Sequence, residues 1–132
     1  MHLSISEQEL LNEYHRWSEA WNNQDVDTIF EIQGESVGYG YRTQEIRINP
    51  NPDAIKLTRE WFSTMKSIIG EDNEVNVRVI ADTGLVWGTF IEHIVEHDGT
   101  SRDVFVRSTL TWMKKEGIWK LVMFHRDNLF NR

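Results

Sequence analysis

His125 is the histidine of this sequence that is best placed for proton transfer. It follows the apolar residues Val122 and Phe124 and is flanked by Arg126 and Asp127, whose charges would shift the pKa of its imidazole. The structural alternative is a hydrogen-bonded histidine of the core or of a dimer contact. We therefore treat His125 as a candidate catalytic residue.

Two carboxylates lie within otherwise apolar stretches near the end of the chain. Glu92 and Asp103 are general-base candidates, because a carboxylate on a partly covered strand can accept a proton from a bound molecule. The structural alternative is that each lies at a sheet edge, where charged side chains block further strand pairing.

The histidine spacing argues against a metal site. His93 and His97 are four residues apart, but the pattern predicts a strand and its turn, over which four residues span about 13 Å. The chain has no Cys that could add a ligand. No glycine-rich phosphate loop or nucleophile motif is present. We therefore predict neither a metal nor another cofactor.

The sequence is rich in tryptophan, with 6 Trp among 132 residues. A buried indole N–H needs a hydrogen-bond partner, which pockets and interfaces provide, although packing in the core is the alternative for each ring. Such rings could form the wall of a pocket for a small apolar or ring-bearing ligand. The aromatic residues predicted to line it are Tyr14, Trp17, Tyr41, Trp61 and Trp112.

Three helices that could hold these rings are predicted in the first half of the chain. Over 4–22 the apolar residues recur at intervals of three and four, and Ser6 with Glu9 fits a capping box. A second helix is predicted over 26–32, and a third follows Asp53 and ends at Gly70. The pocket is expected between the first and third helices and the sheet.

The rest of the chain alternates with a period of two and predicts strands. One short strand is expected over 37–41, irregular chain over 43–52, and four strands after Gly70, over 75–79, 85–96, 102–113 and 118–127. Helices followed by a long antiparallel meander predict an α+β fold, with the helices on one face of the sheet. We expect residues 1–132 to form a single domain.

The late strands carry apolar residues in both phases of the alternation, as in Val104 beside Phe105. A sheet with one solvated face would alternate more strictly, so both faces are expected to be covered. The helices cover one face, and a second copy of the chain would cover the other. This pattern predicts a homodimer formed through the sheet face.

The charge balance limits the remaining partners. With 14 Lys plus Arg against 21 Asp plus Glu the net charge is −7, which disfavours binding to nucleic acid or to an anionic membrane. The longest apolar run, over 121–124, is too short to span a membrane, and the N-terminus has no signal-peptide pattern. We expect a soluble, cytoplasmic protein.

The segment 108–127 resembles the closing hairpin of SnoaL-like proteins in the nuclear transport factor 2-like (NTF2-like) superfamily. It is especially similar to the association domain of calcium/calmodulin-dependent protein kinase II. The stretch 17–25 resembles the start of these domains, and the matching positions of the hairpin are Thr109, Trp112, Gly117, Trp119, Val122, Phe124, His125 and Arg126. The resemblance implies a cystatin-like α+β cone, in which a curved antiparallel sheet wraps around the N-terminal helices and leaves a pocket at its wide end, commonly in a dimer.

The same resemblance implies further site residues. Tyr14 lies about where ketosteroid isomerase-like members carry a pocket tyrosine, which makes it the second catalytic candidate. Arg102 falls at one position where the association domain has a pocket arginine, and Leu110 and Phe90 occupy the other two, so anion binding like that domain's is implied only in part. Arg102 and Arg107 are five residues apart on one strand and so point to opposite faces. We expect Arg102 in the pocket, where it binds a ligand carboxylate or pairs with an acidic residue such as Glu92.

The resemblance leaves the function open, because the superfamily supports isomerases, epoxide hydrolases, dehydratases, cyclases and plain binding or assembly domains. The Arg-x-Asp pattern of the epoxide hydrolases is absent from the late strands, where Arg102-Asp103 and Arg126-Asp127 are adjacent pairs. Three hypotheses remain. The chain is a pocket protein for a small organic ligand, aromatic or carboxylate-bearing; a cofactor-free isomerase or lyase that uses general acid–base catalysis; or an assembly module.

Overall fold

The computed structural model describes residues 2–39 and 46–129, and of residue 39 it describes the backbone alone. Within these residues three helices precede or interrupt the strands: α1 (Ile5–Asn22), α2 (Val26–Gln33) and α3 (Ala54–Ser63). The strands are β1 (Val37–Tyr39), β2 (Ile46–Ile48), β3 (Ser67–Ile80), β4 (Thr83–Val95), β5 (Ser101–Lys115) and β6 (Ile118–Leu129).

The strands form a curved, open sheet in the order β2-β1-β6-β5-β4-β3. All neighbouring pairs are antiparallel except β1 and β6, which run parallel. The helices pack on one face, which we call the inner face, and the opposite one is the outer face. This arrangement is the α+β cone that the sequence predicted.

The first helix begins at a capping box that lies two residues before the predicted one. The Ser4 side chain accepts a hydrogen bond from the Glu7 backbone N–H over 3.1 Å, and the Glu7 carboxylate accepts one from the Ser4 N–H over 2.9 Å. Ser4 has the extended backbone that an N-cap requires, whereas Ser6 and Glu9 already lie within the helix.

The third helix is shorter than predicted. It ends at Ser63. Of the apolar residues that continued its predicted stripe, Met65 lies in the turn that follows, and Ile68 and Ile69 lie in β3. Ile68 is buried opposite Ile94 of β4, so strand pairing and burial outweigh the helical spacing at this point. A short strand that the sequence did not predict, β2, pairs with β1, and all of its residues are exposed.

Two apolar clusters form the core between the helices and the inner face. One joins α2 and α3 to the β4–β5 hairpin end, around Ile29, Phe62 and Val106. The other joins α1 to the middle of the sheet, around Leu10, Trp112 and Leu121. Members of both clusters line the pocket described below, among them Ile68 of the first and Leu110 of the second.

A β-bulge in β3 decides which carboxylate faces the helices. The register shifts between Asp72 and Glu74, so Asp72 lies opposite Phe90 while Val75 lies opposite Gly88. In a regular strand, residues at an odd spacing point to opposite faces. The extra residue of the bulge allows Asp72 and Val75, which are three positions apart, to share the inner face. Gly88 is required there, because a Cβ at this position would meet the backbone of Glu74.

Candidate functional site

A pocket of about 470 Å³ lies between the helices and the inner face and opens to solvent. The helices α1 and α3 form one wall, and β3, β4 and β6 form the other. The exposed strand β2 contributes to the lining with Ile46, Arg47 and Ile48. The volume falls within the range of about 300–1,000 Å³ that is usual for small-molecule sites.

Aromatic rings form the helical wall of the pocket. Tyr14, Trp17 and Trp21 are three and four residues apart on α1, which places them on one face of the helix. Successive ring centroids are 6.2 Å apart, and Trp21 lies 6.3 Å from Trp61 of α3 in an edge-to-face arrangement. Phe90 of β4 lies in the sheet wall. The pocket therefore offers ring faces and edges from both sides.

The Trp17 ring is held in place by a polar contact. Its indole N–H donates a hydrogen bond to the side-chain oxygen of Gln33 over 2.8 Å, and Gln33 is buried. The Asn22 side-chain oxygen accepts a hydrogen bond from the Gly70 N–H over 2.8 Å, which ties the end of α1 to β3. The first bond holds the Trp17 ring against α2, and the second fixes α1 against the sheet.

Tyr14 and Asp72 form a hydrogen-bonded pair at the pocket. The Tyr14 hydroxyl donates to Asp72 Oδ1 over 2.8 Å. Burial raises the pKa of the Tyr14 phenol well above its usual value, and the neighbouring Asp72 charge raises it further. Tyr14 therefore stays protonated at neutral pH and acts as a hydrogen-bond donor.

Glu92 and Arg126 form an ion pair on the sheet wall. Arg126 Nη2 lies 2.7 Å from Glu92 Oε1, and Arg126 Nη1 lies 3.0 Å from Glu92 Oε2. The strand β5 separates their strands, so the pair bridges across it. The guanidinium also lies 5.7 Å from the centroid of the Phe90 ring. Both charges are little exposed, and each has its partner within the protein.

The pocket brings together four of the residues predicted to bind a ligand: Tyr14, Trp17, Trp61 and Phe90. Their binding role stays a prediction. Tyr41, a further predicted lining residue, lies outside the described residues. Trp112 is fully buried, and its ring meets the Trp17 ring edge-to-face at 6.3 Å. It therefore supports the aromatic wall from the core and does not line the pocket.

Arg102 is not among the described residues that line the pocket, and its binding role stays a prediction. Its strand phase places it on the inner face, opposite Ile94 near the start of β5. Its side chain is half exposed, with Nε 3.3 Å from Glu96 Oε1. The ion pair with Glu92 is made by Arg126, because the two strands flanking β5 bring these residues together. Arg107 lies on the outer face beside Asp127.

The other catalytic candidate, His125, borders the pocket. Its imidazole is half exposed, and Nε2 lies 3.3 Å from Asp127 Oδ1. Alternation along β6 points the side chains of His125 and Asp127 away from the face to which Arg126 belongs. Among the described lining residues, Tyr14 of α1 and Asp72 of the inner face therefore meet as a pair with proton-transfer chemistry, beside Glu92, which is engaged by Arg126.

The other histidines lie away from the pocket. His93 Nδ1 lies 2.7 Å from Asp103 Oδ1 and His93 Nε2 lies 2.8 Å from Glu71 Oε2, in a row across three strands. His97 Nε2 lies 2.6 Å from the Ser63 carbonyl oxygen. In the described part of the chain, no group of His, Asp and Glu residues has the arrangement of a metal site. Asp103, a general-base candidate, is thus engaged by His93 outside the pocket.

The sequence analysis did not single out Asp72. It lies in the polar run Glu71-Asp72-Asn73-Glu74, which reads as a solvated turn. Only the bulge makes this run part of a strand and directs one of its carboxylates inward. Trp21 and Gln33 also line the pocket. The spacing of three and four residues between apolar side chains on α1 is the sequence signal that places Trp21 beside Trp17.

The geometry defines the class of protein: a cone fold of the NTF2-like, cystatin-like kind with an aromatic pocket at its open side. The profile of the calcium/calmodulin-dependent protein kinase II association domain matches residues 6–129. The chain belongs to this family. No helix among the described residues has the length and apolarity to cross a bilayer.

Solved structures with the same fold have little sequence in common with this chain. A Xanthomonas campestris protein assigned to the association-domain family has 21% identity and a TM-score of 0.78, over 94% of this chain and 88% of its own. The association domain of Caenorhabditis (C. elegans) CaMKII has 17% identity and a TM-score of 0.73, over 93% and 98%.

An enzyme is also among the similar structures. The hexachlorocyclohexane dehydrochlorinase LinA-type3 from Novosphingobium barchaimii has 12% identity and a TM-score of 0.78, over 95% of this chain and 87% of its own. At such identities the likeness concerns the fold alone. A search of curated protein sequences finds no significant match.

Proposed function

We propose that this chain is a single-domain cytoplasmic pocket protein, spanning 1–132, that binds a small organic molecule with an apolar, ring-bearing body. The observation that carries the proposal is the pocket itself, with the rings of Tyr14, Trp17 and Trp61 on one wall and Phe90 on the other. A pocket with apolar walls and a few convergent polar groups is the usual form of a small-molecule site. Here those groups are the Tyr14–Asp72 pair and the ion pair on the sheet wall.

Filling the pocket tests this proposal. Gly70 lines it, and a Cβ added there would make only ordinary contacts, at 3.7 Å from Asn22 Oδ1 and 4.0 Å from a Phe90 ring carbon. Gly70→Val places two more methyl groups in the pocket, whereas Gly70→Ala leaves most of the volume open. Titration with 2-phenylethanol, followed by tryptophan fluorescence and calorimetry, should show binding to the wild-type chain and to Gly70→Ala, and at least about tenfold weaker binding to Gly70→Val. Equal affinity for all three chains would contradict the proposal.

A second candidate function is a cofactor-free isomerase or lyase, and the Tyr14–Asp72 pair favours it. A carboxylate and a phenol that stays protonated can act as general base and as hydrogen-bond donor to a developing oxyanion. Such a reaction needs Tyr14 to turn from Asp72 to the substrate oxygen. His125 is the alternative acid or base in this hypothesis.

Deuterium exchange tests the catalytic hypothesis without a known substrate. In D₂O, an aromatic ketone such as 4-phenyl-2-butanone should acquire deuterium beside its carbonyl faster with the wild-type chain than without protein. Asp72→Asn should abolish this excess exchange, and Tyr14→Phe should reduce it. His125→Gln should leave it unchanged, and a loss of exchange in that variant would instead favour His125 as the acid or base. If the wild-type chain produces no excess exchange, the binding function stands without catalysis.

The outer face favours a third role, assembly into a homodimer. Apolar side chains on its strands are exposed, among them Trp87 at 39% and Met123 at 42%. A second copy would cover them. Sedimentation should show a dimer at micromolar concentration, and Trp87→Glu should shift it toward the monomer while the Gly70→Val variant stays dimeric. A wild-type monomer under these conditions would rule this role out.

A further inference from the structure

We infer that the ligand carries a protonated amine beside its apolar ring, with the ammonium held at Asp72 between the aromatic walls of the pocket. This inference rests on the proposed binding function and names the ligand class. It replaces the carboxylate-bearing ligand that the expected position of Arg102 implied.

The first argument is the state of the Asp72 carboxylate. Its Oδ1 accepts the Tyr14 hydroxyl bond, and the residue is exposed to the open space of the pocket. It makes no ion pair with any residue in the ranges 2–39 and 46–129. A carboxylate that keeps acceptor capacity beside apolar walls is complementary to an ammonium donor.

The second argument is that the inner cation is already neutralised. Arg126 makes two bonds to the Glu92 carboxylate, at 2.7 and 3.0 Å, and both side chains are largely buried. A ligand carboxylate at Arg126 would have to displace Glu92 or lie beside its negative charge. Either event costs more than it gains, because the displaced Glu92 charge would remain in a partly desolvated place.

The third argument concerns the cation at the pocket mouth. Arg47 lines the pocket from β2, whose residues are all exposed. Arg47 and Asp72 are both exposed, so water weakens the effect of each charge. The Asp72 carboxylate is held in place by the Tyr14 hydroxyl, so it is the fixed charge beside the aromatic wall.

The fourth argument is the electrostatics of the rings. The face of an aromatic ring carries negative charge density and attracts cations. Within the sheet wall the Arg126 guanidinium already lies 5.7 Å from the Phe90 centroid, so this wall accommodates a cation against a ring. Tyr14 and Trp17 lie on the helical wall with centroids 6.2 Å apart, on the side from which Tyr14 reaches Asp72. An ammonium at Asp72 thus lies near Tyr14 and near Phe90, which is opposite Asp72 in the β3–β4 register.

A matched set of probes tests the charge preference. The probes are 2-phenylethylamine, 2-phenylethanol and 3-phenylpropionate, which share a phenyl ring and differ in the polar end as cation, neutral group and anion at pH 7. Calorimetry and tryptophan fluorescence should show the amine binding about tenfold tighter than the alcohol, and the carboxylate binding weakest. Asp72→Asn should remove most of the advantage in affinity that the amine has over the alcohol.

Asp82→Asn is the matched control, because it makes the same chemical change and the same change in net charge at the turn between β3 and β4, outside the pocket lining. It should leave all three affinities unchanged. If 2-phenylethanol binds as tightly as the amine, or if Asp82→Asn acts as strongly as Asp72→Asn, the amine inference is wrong while the binding function stands. Preferential binding of the carboxylate, lost in Arg47→Gln, would also overturn it. If none of the probes binds, the inference and the proposed function both fail.

Discussion

The Tyr14 hydroxyl donates a hydrogen bond to Asp72 across 2.8 Å and so joins α1 to the bulge of β3. The two residues are 58 positions apart in the chain. This bond fixes the distance between the helical wall and the sheet wall at one side of the pocket. It couples the shape of the pocket to the protonation of a buried phenol.

Tyr14→Phe should lower the free energy of unfolding by about 1 kcal/mol at neutral pH, the usual value for one hydrogen bond of this kind. Above about pH 10 the unfolded chain's tyrosine ionises, whereas burial and Asp72 keep the raised pKa of folded Tyr14 above that range. The contribution of Tyr14 is therefore present below pH 10 and is lost as the pH rises toward the raised pKa. Urea unfolding of both chains at a series of pH values measures this difference.

The double variant Tyr14→Phe with Asp72→Ala provides the control. If the hydrogen bond is the cause, Tyr14→Phe should lower the free energy of unfolding much less in the Asp72→Ala background, where the acceptor is already absent. An equal cost in both backgrounds would show that the hydroxyl acts through another contact.

Removing one partner of the Glu92–Arg126 ion pair should lower the free energy of unfolding by more than Tyr14→Phe does. Glu92→Leu leaves the Arg126 charge in a place where its side chain is only 21% exposed, and we expect a loss of about 3 kcal/mol in unfolding free energy. The double variant Glu92→Leu with Arg126→Leu should recover much of this loss, since no charge then remains without its partner. Chemical denaturation measures both. A double variant that is less stable than Glu92→Leu would contradict this explanation, because the loss would then not come from the buried Arg126 charge.

The sequence predicts those elements of the fold whose boundaries depend on neighbouring residues, and it does not predict those that depend on pairing with a distant strand. The helix α1 and the strands β4, β5 and β6 follow from regular apolar spacing, because each buries apolar side chains at the interval of its own secondary structure. The end of α3 could not be predicted in this way. Ile68 fits a helical stripe equally well, and only its pairing opposite Ile94 on a distant strand decides the matter.

On the helical wall the lining residues follow from the sequence pattern, whereas on the sheet wall the sequence indicated Phe90, Glu92 and His125 but neither Asp72 nor the partner of Glu92. Tyr14 and Trp17 were found because they lie on the apolar stripe of a helix. Asp72 depends on a bulge, and the Glu92–Arg126 pair depends on the register of three strands, neither of which leaves a local trace. Arg102 had the correct phase, but phase carries no information on how far along a strand the pocket extends.

Gly88→Ala should destabilise the fold strongly. A Cβ at Gly88 would overlap the backbone carbonyl of Glu74, which cannot move without breaking the bulge that directs Asp72 inward. Overpacking against backbone typically costs about 1–3 kcal/mol, and we expect the upper part of that range. Gly70→Ala is the matched control, since its Cβ meets only ordinary contacts at 3.7 and 4.0 Å. Thermal unfolding should show a lower midpoint for Gly88→Ala alone, and equal midpoints for both variants would contradict the close approach.

The row of Glu71, His93 and Asp103 on the outer face should give a measurable pH dependence. The hydrogen bond to Glu71, followed by the one to Asp103, raises the pKa of His93 above its ordinary value of 6.5. Because the folded pKa is the higher one, the stabilisation from this row is fully present below pH 6.5 and is lost as the pH rises through the raised pKa. NMR titration of the imidazole should show a pKa above 6.5, and the stability difference between the wild-type chain and His93→Gln should shrink above that pH. The double variant Glu71→Gln with Asp103→Asn should return the His93 pKa toward 6.5, because both acceptors then lose their charge. If the pKa of His93 stays unchanged in that variant, the two carboxylates are not the cause of its shift.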